Sequence, residues 1–485
     1  MCRAAGDRRR TAARVRAQTR SGAEFRCERN NAHRGRTNAA HVDGRGRVNP
    51  IHNEWMDSST PATDIVDGRS RETSRLAREQ GAQVSCSART PPHRKPHDRL
   101  PWSIVIFAFA LASGVTVSVI YLPQPILAYV GTEFETDHAG VAWTATAAQF
   151  GYAVGVLLLV PLGEIRNPRT VIRVQVATTA ALVLLCAVAP QLWLLCLMLL
   201  IAGAGASVVQ LLSPLATRMA PARQRENATA LIVAGLALGI FGGRAGAAVA
   251  AELFGWRWVF AIAACGVLSM VVALGVVIDK KLVPTSTVRY AQLVRTLPTV
   301  FVRSAALRSS SGYQFLAFSA FNAGWTVAVL HLTDNLGFTP IEAGLFALVG
   351  LSSAVLVPFV GKLLKATGFD TVRLIGFTVG AVSSGLILAF PDSPAVLAIG
   401  LTGLALMNFV VQVPNQVSFF EQAGDASPRA NAVFIFFTFT GAAIGAELGA
   451  VLYQQWTIRG TLCFSLAMTV VALLALAGTG LRRRR

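Results

Sequence analysis

Lysine is scarce in this chain: only five stand among its 44 basic residues, and 14% of the 485 residues are charged. Histidine is scarcer where chemistry would need it, since five of the seven lie before residue 100 and only His138 and His331 follow. Seven cysteines form no CxxC pair and no Cys/His cluster, which argues against a zinc site or a disulfide framework. Cys186, Cys196, Cys265 and Cys463 fall inside apolar runs, where cysteine acts as a small apolar filler. The sequence also lacks HExxH, GxSxG and P-loop patterns. No metal, cofactor or enzymatic activity is therefore expected.

What is abundant is apolar sequence, 53% of the chain. The first hundred residues stand apart, holding 21 of the 44 Lys and Arg and 11 of the 25 Asp and Glu. Low apolar content and a basic run at Arg8-Arg9-Arg10 read as a disordered tail over 1–100 rather than a nucleic-acid site. The tail has no signal-peptide core. Met56 is an alternative start that would leave 1–55 untranslated.

From Trp102 the sequence predicts an all-α integral membrane protein. Twelve apolar spans are read at 102–124, 140–162, 170–189, 192–214, 227–251, 257–278, 311–331, 341–363, 372–390, 394–419, 430–452 and 460–480. Each approaches the ~20 residues that cross ~30 Å of hydrocarbon. Basic residues sit in or beside alternate connections: Arg166 and Arg169, Arg218 and Arg223, Arg289 and Arg295, Lys362 and Lys365, and the C-terminal Arg482–Arg485. The other side has Arg257, Arg459 and an acidic first loop with Glu133, Glu135 and Asp137. The positive-inside rule then puts both termini in the cytoplasm. An apolar stripe through Tyr290, Leu293, Val294, Leu297, Val300 and Phe301 predicts an amphipathic helix in the 279–310 connection, lying on the membrane surface.

The chain repeats itself. "RENATALIVAGLALGIFGG" at 225–243 returns 204 residues later as "RANAVFIFFTFTGAAIGAE" at 429–447, and Ala139-Gly140 returns at the same offset as Ala343-Gly344. The domain reading is a six-helix half at 101–278, a connecting loop at 279–310 and a second half at 311–485. Parallel six-helix repeats are one architecture of secondary transporters, with the solute site between the halves.

With the segments "YLPQPIL", "GYAVGVLLLVPLGE" and "SVVQLLSPLATRMAPARQRENA", and the helix-5 run "GLALGIFGGRAGAAVAAELFGWRWVF", the sequence resembles the major facilitator superfamily. It is most similar to the bacterial efflux permeases that include sugar- and drug-exporter-like proteins. The resemblance implies twelve helices in the major facilitator fold, in the bacterial cytoplasmic membrane. It also implies proton-coupled efflux of a drug, sugar or metabolite by alternating access, as a monomer in the lipid bilayer that uses protons and binds no nucleic acid. The alternative is a membrane-embedded sensor or enzyme. Leu199 and Gly243-Arg244 depart from the drug-antiporter pattern, which has an arginine in span 4 and Gly-Pro in span 5. The loop Gly163, Glu164, Arg166, Arg169 resembles the family's gating motif, with a glutamate where that motif has aspartate.

Two charges inside the spans are candidates for coupling or gating. Arg244 lies about 27 Å along span 5 from Glu226 at 1.5 Å per residue, and an arginine at that depth is costly. It reads equally as a structural pin, an inter-half pair or a contact to an anionic solute. Glu447, at the repeat-equivalent depth of span 11, reads as a proton site or as Arg244's neutralising partner. For the solute cavity the candidates are Tyr121, Gln124, Gln149, Gln210, Asn322 and Trp325, together with the span-10 row Asn408, Gln412, Asn415 and Gln416 on one helical face. The resemblance implies that helices 1, 4, 7 and 10 line that cavity. Each residue could instead serve only as an interhelical hydrogen bond.

Overall fold

A computed structural model describes residues 100–279, 289–354, 357–424 and 427–484. The expectations for the 1–55 segment, Met56 and the tail up to residue 99 lie outside them, as does 280–288 of the long connection. Every regular element among the described residues is helical. In chain order these are α1 (Trp102–Ser118), α2 (His138–Leu159), α3 (Pro168–Cys186) and α4 (Leu192–Met219). Next come α5 (Arg225–Phe254), α6 (Trp256–Val277), α7 (Ala305–Asp334) and α8 (Pro340–Ser353). The last are α9 (Phe369–Ala389), α10 (Pro394–Ala423) and α11 (Ser427–Arg484). Nine helices among the described residues are long and apolar enough to cross a membrane, while α1 and α8 are apolar but shorter.

Two boundaries differ from the sequence reading. α1 stops at Ser118 rather than 124, because Pro123 and Pro125 lack the N–H groups a continuing helix needs; a short 3₁₀ turn, Gln124–Ile126, takes over. The predicted span 341–363 is broken: 3₁₀ geometry runs through Phe346–Gly350, and a separate helix covers Val357–Thr367. The last two spans meet at a kink where Trp456 (φ −134°) and Thr457 (φ 54°) are non-helical, within the predicted gap.

Packing repeats as the sequence does. Gly235 and Gly239 of α5 meet the backbone of Ala110 and Gly114 in α1; Gly441 and Gly445 of α11 meet Phe315 and Ser319 in α7. A Cβ on Gly239 would fall 2.2 Å from the Gly114 carbonyl oxygen, and one on Gly445 2.3 Å from that of Ser319. Small residues let helix backbones touch where lipid offers no hydrophobic drive to associate. α7 is the central helix, with 83% of its apolar window buried against 33% for α6. Large apolar side chains such as Phe107, Trp193, Val272 and Leu474 are exposed around the outside, forming the surface lipid would cover.

The amphipathic stripe in the connection folds as the helix Tyr290–Arg303, with Leu293 and Leu297 buried. Tyr290 Oη donates to the Leu158 carbonyl at the end of α2, and Arg429 of α11 donates to Thr296 Oγ1. This helix therefore ties the base of α2 to the base of α11.

Candidate functional site

The prolines that end α1 also aim Gln124 inward, where it is buried against α7. There it joins a directional chain of hydrogen bonds. Arg244 Nε of α5 donates to Gln124 Oε1 at 2.7 Å. Gln124 Nε2 donates to Asn322 Oδ1 at 3.1 Å and Thr326 Oγ1 at 3.0 Å, both on α7. Asn322 Nδ2 donates to Gln149 Oε1 of α2 and to the Ala442 carbonyl of α11, each at 2.7 Å. A guanidinium has donors and no acceptor, so it fixes which way every amide in this chain turns. The chain crosses from α5 to the 3₁₀ turn after α1, to α7 and back to α2, joining the two repeats at their centre.

Arg244 is 3% exposed. Its Cζ lies 4.3 Å from the centroid of the Tyr121 ring, 5.5 Å from that of Trp325 and 5.6 Å from that of Phe241. Three ring faces supply cation–π attraction worth about 0.5–2 kcal/mol apiece. That offsets only part of the cost of a buried charge. Nη1 and Nη2 of Arg244 have no hydrogen-bond partner among the described residues, nor do Trp325 Nε1 and Gln149 Nε2. A small cavity, with room for about one water molecule, opens beside Arg244, Gln124 and Trp325 and is otherwise apolar.

Glu447 does not meet Arg244. It is half-buried on α11, where Thr146 Oγ1 of α2 donates to it at 3.1 Å. The expected span-10 row also faces two ways. Asn408 and Asn415 bond to Gln314 of α7 at 2.8 and 3.1 Å, and Arg373 Nε of α9 donates to Asn415 Oδ1 at 2.8 Å. Arg373 also contacts Asp370 at 3.2 Å and lies 5.2 Å from the Tyr313 ring centroid. Gln412 and Gln416 are half-buried and make no side-chain hydrogen bond among the described residues. Gln210 donates to Tyr152 Oη at 2.8 Å, and the Tyr152 ring packs on Phe439 of α11.

The sequence reading missed Thr326, Phe241, Gln314, Tyr152 and Arg373. A lone glutamine in an apolar run was a usable signal for Gln314. Arg373 is masked in sequence by its place beside a loop already counted as basic.

Both ends of the bundle carry polar contacts between the repeats. At the basic end, Gly163 packs on Leu211, Arg166 is exposed, and Arg169 donates to the Gly275 carbonyl. Glu164 feels the charge of Arg429 across the repeats. At the acidic end, Asp137 caps α2 by accepting from Gly140 N at 2.7 Å and accepts from Gln454 Nε2 of α11 at 2.9 Å. The Gly140 N–H, then Gln454, hold its carboxyl below the usual aspartate range. His138 Nε2 lies 3.6 Å from Asp334 Oδ2 of α7 and its ring stacks edge-on to Tyr453. Gly344 of α8 presses on Ala248 of α5, so a Cβ there would meet that of Ala248 at 1.8 Å. Beyond the 3₁₀ stretch, the helix Val357–Thr367 packs on α9 and α10. The Asp137–Gln454, His138–Asp334 and Gly344–Ala248 contacts thus join the two repeats at the acidic end.

Known proteins are similar to this chain in sequence and in fold. The model of the Major Facilitator Superfamily matches residues 103–313 and 310–485. The chain is 29% identical over 395 residues to the Streptomyces coelicolor protein named "Probable transporter SCO4007", covering 81% of this chain and 91% of that one. It is 28% identical over 381 residues to the uncharacterized transporter YgaY of Escherichia coli O157:H7, covering 78% and 96%. In fold it is similar to the crystal structure of the nucleoside transporter NupG, with a TM-score of 0.61, 11% identity, and 77% and 98% of the two chains covered. It is also similar to a bacterial homologue of the lysosomal transporter Spinster in an inward-facing, occupied conformation (TM-score 0.61, 14% identity, 79% and 97% covered).

Proposed function

The chain belongs to the Major Facilitator Superfamily of transporters, and from that premise we propose that it exports a small solute across the bacterial cytoplasmic membrane by proton-coupled alternating access. The supporting observation is the chain from Arg244 through Gln124 and Asn322 to Gln149, which places a buried charge and its amides between the two repeats. A hydrogen-bonded seam between rocking halves has two discrete states, made and broken, which is what alternating access needs.

The architecture we propose has twelve spans. α1, α8 and the second arm of α11 beyond Thr457 cross alongside the nine long helices. Residues 101–278 and 311–485 are the two halves, with the helix Tyr290–Arg303 lying along the membrane surface between them. The basic end and both termini are cytoplasmic, so the closed acidic end faces outward. Asp137–Gln454 and His138–Asp334 latch the outer gate, while Gly163, Glu164, Arg166 and Arg169 belong to the inner one.

Glu447 is the proton carrier in this reading. It is a carboxylate within a span, no cation pairs with it among the described residues, and it bridges the halves through Thr146. Tyr121, Trp325 and Gln124 line the solute path next to Arg244, with Gln210, Gln412 and Gln416 toward the basic end.

Accumulation of a broad panel of compounds tests this, in a bacterial strain stripped of its own efflux pumps and expressing residues 56–485. Efflux predicts lowered accumulation of some compound, abolished by a protonophore. Correctly inserted protein that alters nothing across the panel would overturn the efflux reading.

A further inference from the structure

We infer that Arg244 anchors an anionic oxygen group of the solute, a carboxylate carried on an aromatic or apolar body. This rests on the transport reading above and adds the chemical class of what is carried.

The donor count carries the inference. Arg244 spends Nε on Gln124 and leaves both Nη groups without partners at 3% exposure. Arginine used purely as a pin spends its fork, because burying unpaired charged donors is costly. The other unpartnered buried atoms around this chain, Trp325 Nε1 and Gln149 Nε2, are donors as well. Each amide oxygen already accepts one bond within the chain: Gln124 Oε1 from Arg244, Asn322 Oδ1 from Gln124, and Gln149 Oε1 from Asn322. What the cluster lacks is therefore acceptors, and its charge is positive.

No carboxylate among the described residues supplies them. Glu447 accepts from Thr146 of α2, and Glu252, nearer the end of α5, accepts from Tyr129. Arg244 and Trp325, which both carry unpaired donors, line the cavity. Tyr121, Phe241 and Trp325 surround the guanidinium with ring faces, which favour an apolar body next to the charge. A carboxylate offers two oxygens to a guanidinium fork in a bidentate pair. The cavity holds about one water in this closed state, so the body of such a solute enters when the halves part.

The test is equilibrium dialysis of radiolabelled benzoate against the full chain in lipid nanodiscs. Competitors are benzamide, acetate and sodium chloride at constant ionic strength. The expected result is saturable benzoate binding at least about tenfold tighter than that of benzamide, a difference of about 1.4 kcal/mol, with chloride a weak competitor. Arg244→Gln should erase the preference for the acid over the amide. If Arg244→Gln fails to insert, Arg244→Lys decides the matter, because it keeps the charge without the planar fork and should cut the preference several-fold. Trp325→Phe keeps the ring, removes one donor and should weaken benzoate more than benzamide. Equal binding of acid and amide, a preference that survives in inserted Arg244 variants, or chloride displacing benzoate at equal concentration would each overturn the inference. The transport reading fails separately: a protein that exports only neutral compounds refutes the anion site alone, while benzoate binding without any flux refutes export alone.

Discussion

Arg244 Nε and Gln124 Oε1 lie 2.7 Å apart, 120 positions separated in sequence, and this one bond sets the direction of the hydrogen-bond chain at the centre of the protein. Gln124 serves three partners at once. Gln124→Leu leaves a charged donor and two α7 acceptors unpaired in a buried place. Leaving such groups unsatisfied costs about 1–3 kcal/mol each. Thermal unfolding of the purified variant should shift down by several degrees, and transport should fall more than the loss of folded protein accounts for. A Gln124→Leu protein with unchanged melting and flux would remove the chain from the mechanism.

Glu447 and Thr146 make a different claim. Glu447→Gln preserves an oxygen that can accept from Thr146 and removes the exchangeable proton. Its stability should stay within about 0.5 kcal/mol of the parent, as for a substitution that keeps its contact. Flux driven by a pH gradient should collapse, while exchange of solute at equal pH on both sides persists. Normal gradient-driven flux in Glu447→Gln would move the proton site elsewhere.

The latch at the acidic end has a sign that can be checked. Asp137 titrates lower in the folded protein than its usual aspartate value near 3.9, through Gly140 N–H and Gln454. Its contribution is therefore complete above that unfolded value and is lost as pH falls through the folded one. Between pH 5 and 8 the latch should not change on account of Asp137, and it should loosen only below about pH 4. Cross-linking between Asp137→Cys and Gln454→Cys should trap this end shut and stop flux, with recovery on reduction. Unimpeded flux in the fully cross-linked protein would mean that the end does not open during transport.

Close helix contacts give a paired prediction. Gly239→Leu drives side-chain atoms into the Gly114 carbonyl, an approach of 2.2 Å already at Cβ, and α1 and α5 must separate. Overpacking of this kind costs about 1–3 kcal/mol or more, and folded protein recovered in detergent should fall sharply. Gly246→Ala, on the same helix with nothing within 4 Å of the new Cβ, should melt like the parent. Equal tolerance of both would contradict the packing of α1 on α5.

Much of this was legible in one dimension. Apolar run length located the long apolar helices, because hydrocarbon excludes charge and unpaired backbone wherever it occurs. The stripe from Tyr290 to Phe301 announced its amphipathic helix. Even the break near 456 fell where apolar sequence thinned. The early end of α1 was written in Pro123 and Pro125, though a count of apolar residues passed over it. The 3₁₀ stretch in α8 was not legible, since Gly350 matters there only because the Phe241 ring lies against it.

By itself the sequence determined that the chain is a bundle of membrane-crossing helices in two repeats, with a costly arginine in the fifth span. Its composition leaves no other solvent for those runs. Only the tertiary structure decided what the arginine does: that Gln124 rather than Glu447 meets it, that three rings enclose it, and that Asn415 turns to Arg373 instead of an open cavity. Hydrophobicity is a property each residue carries alone and can be read along the chain. Hydrogen-bond pairing is a property of two groups brought together, and residues more than a hundred positions apart become neighbours only once the helices have packed.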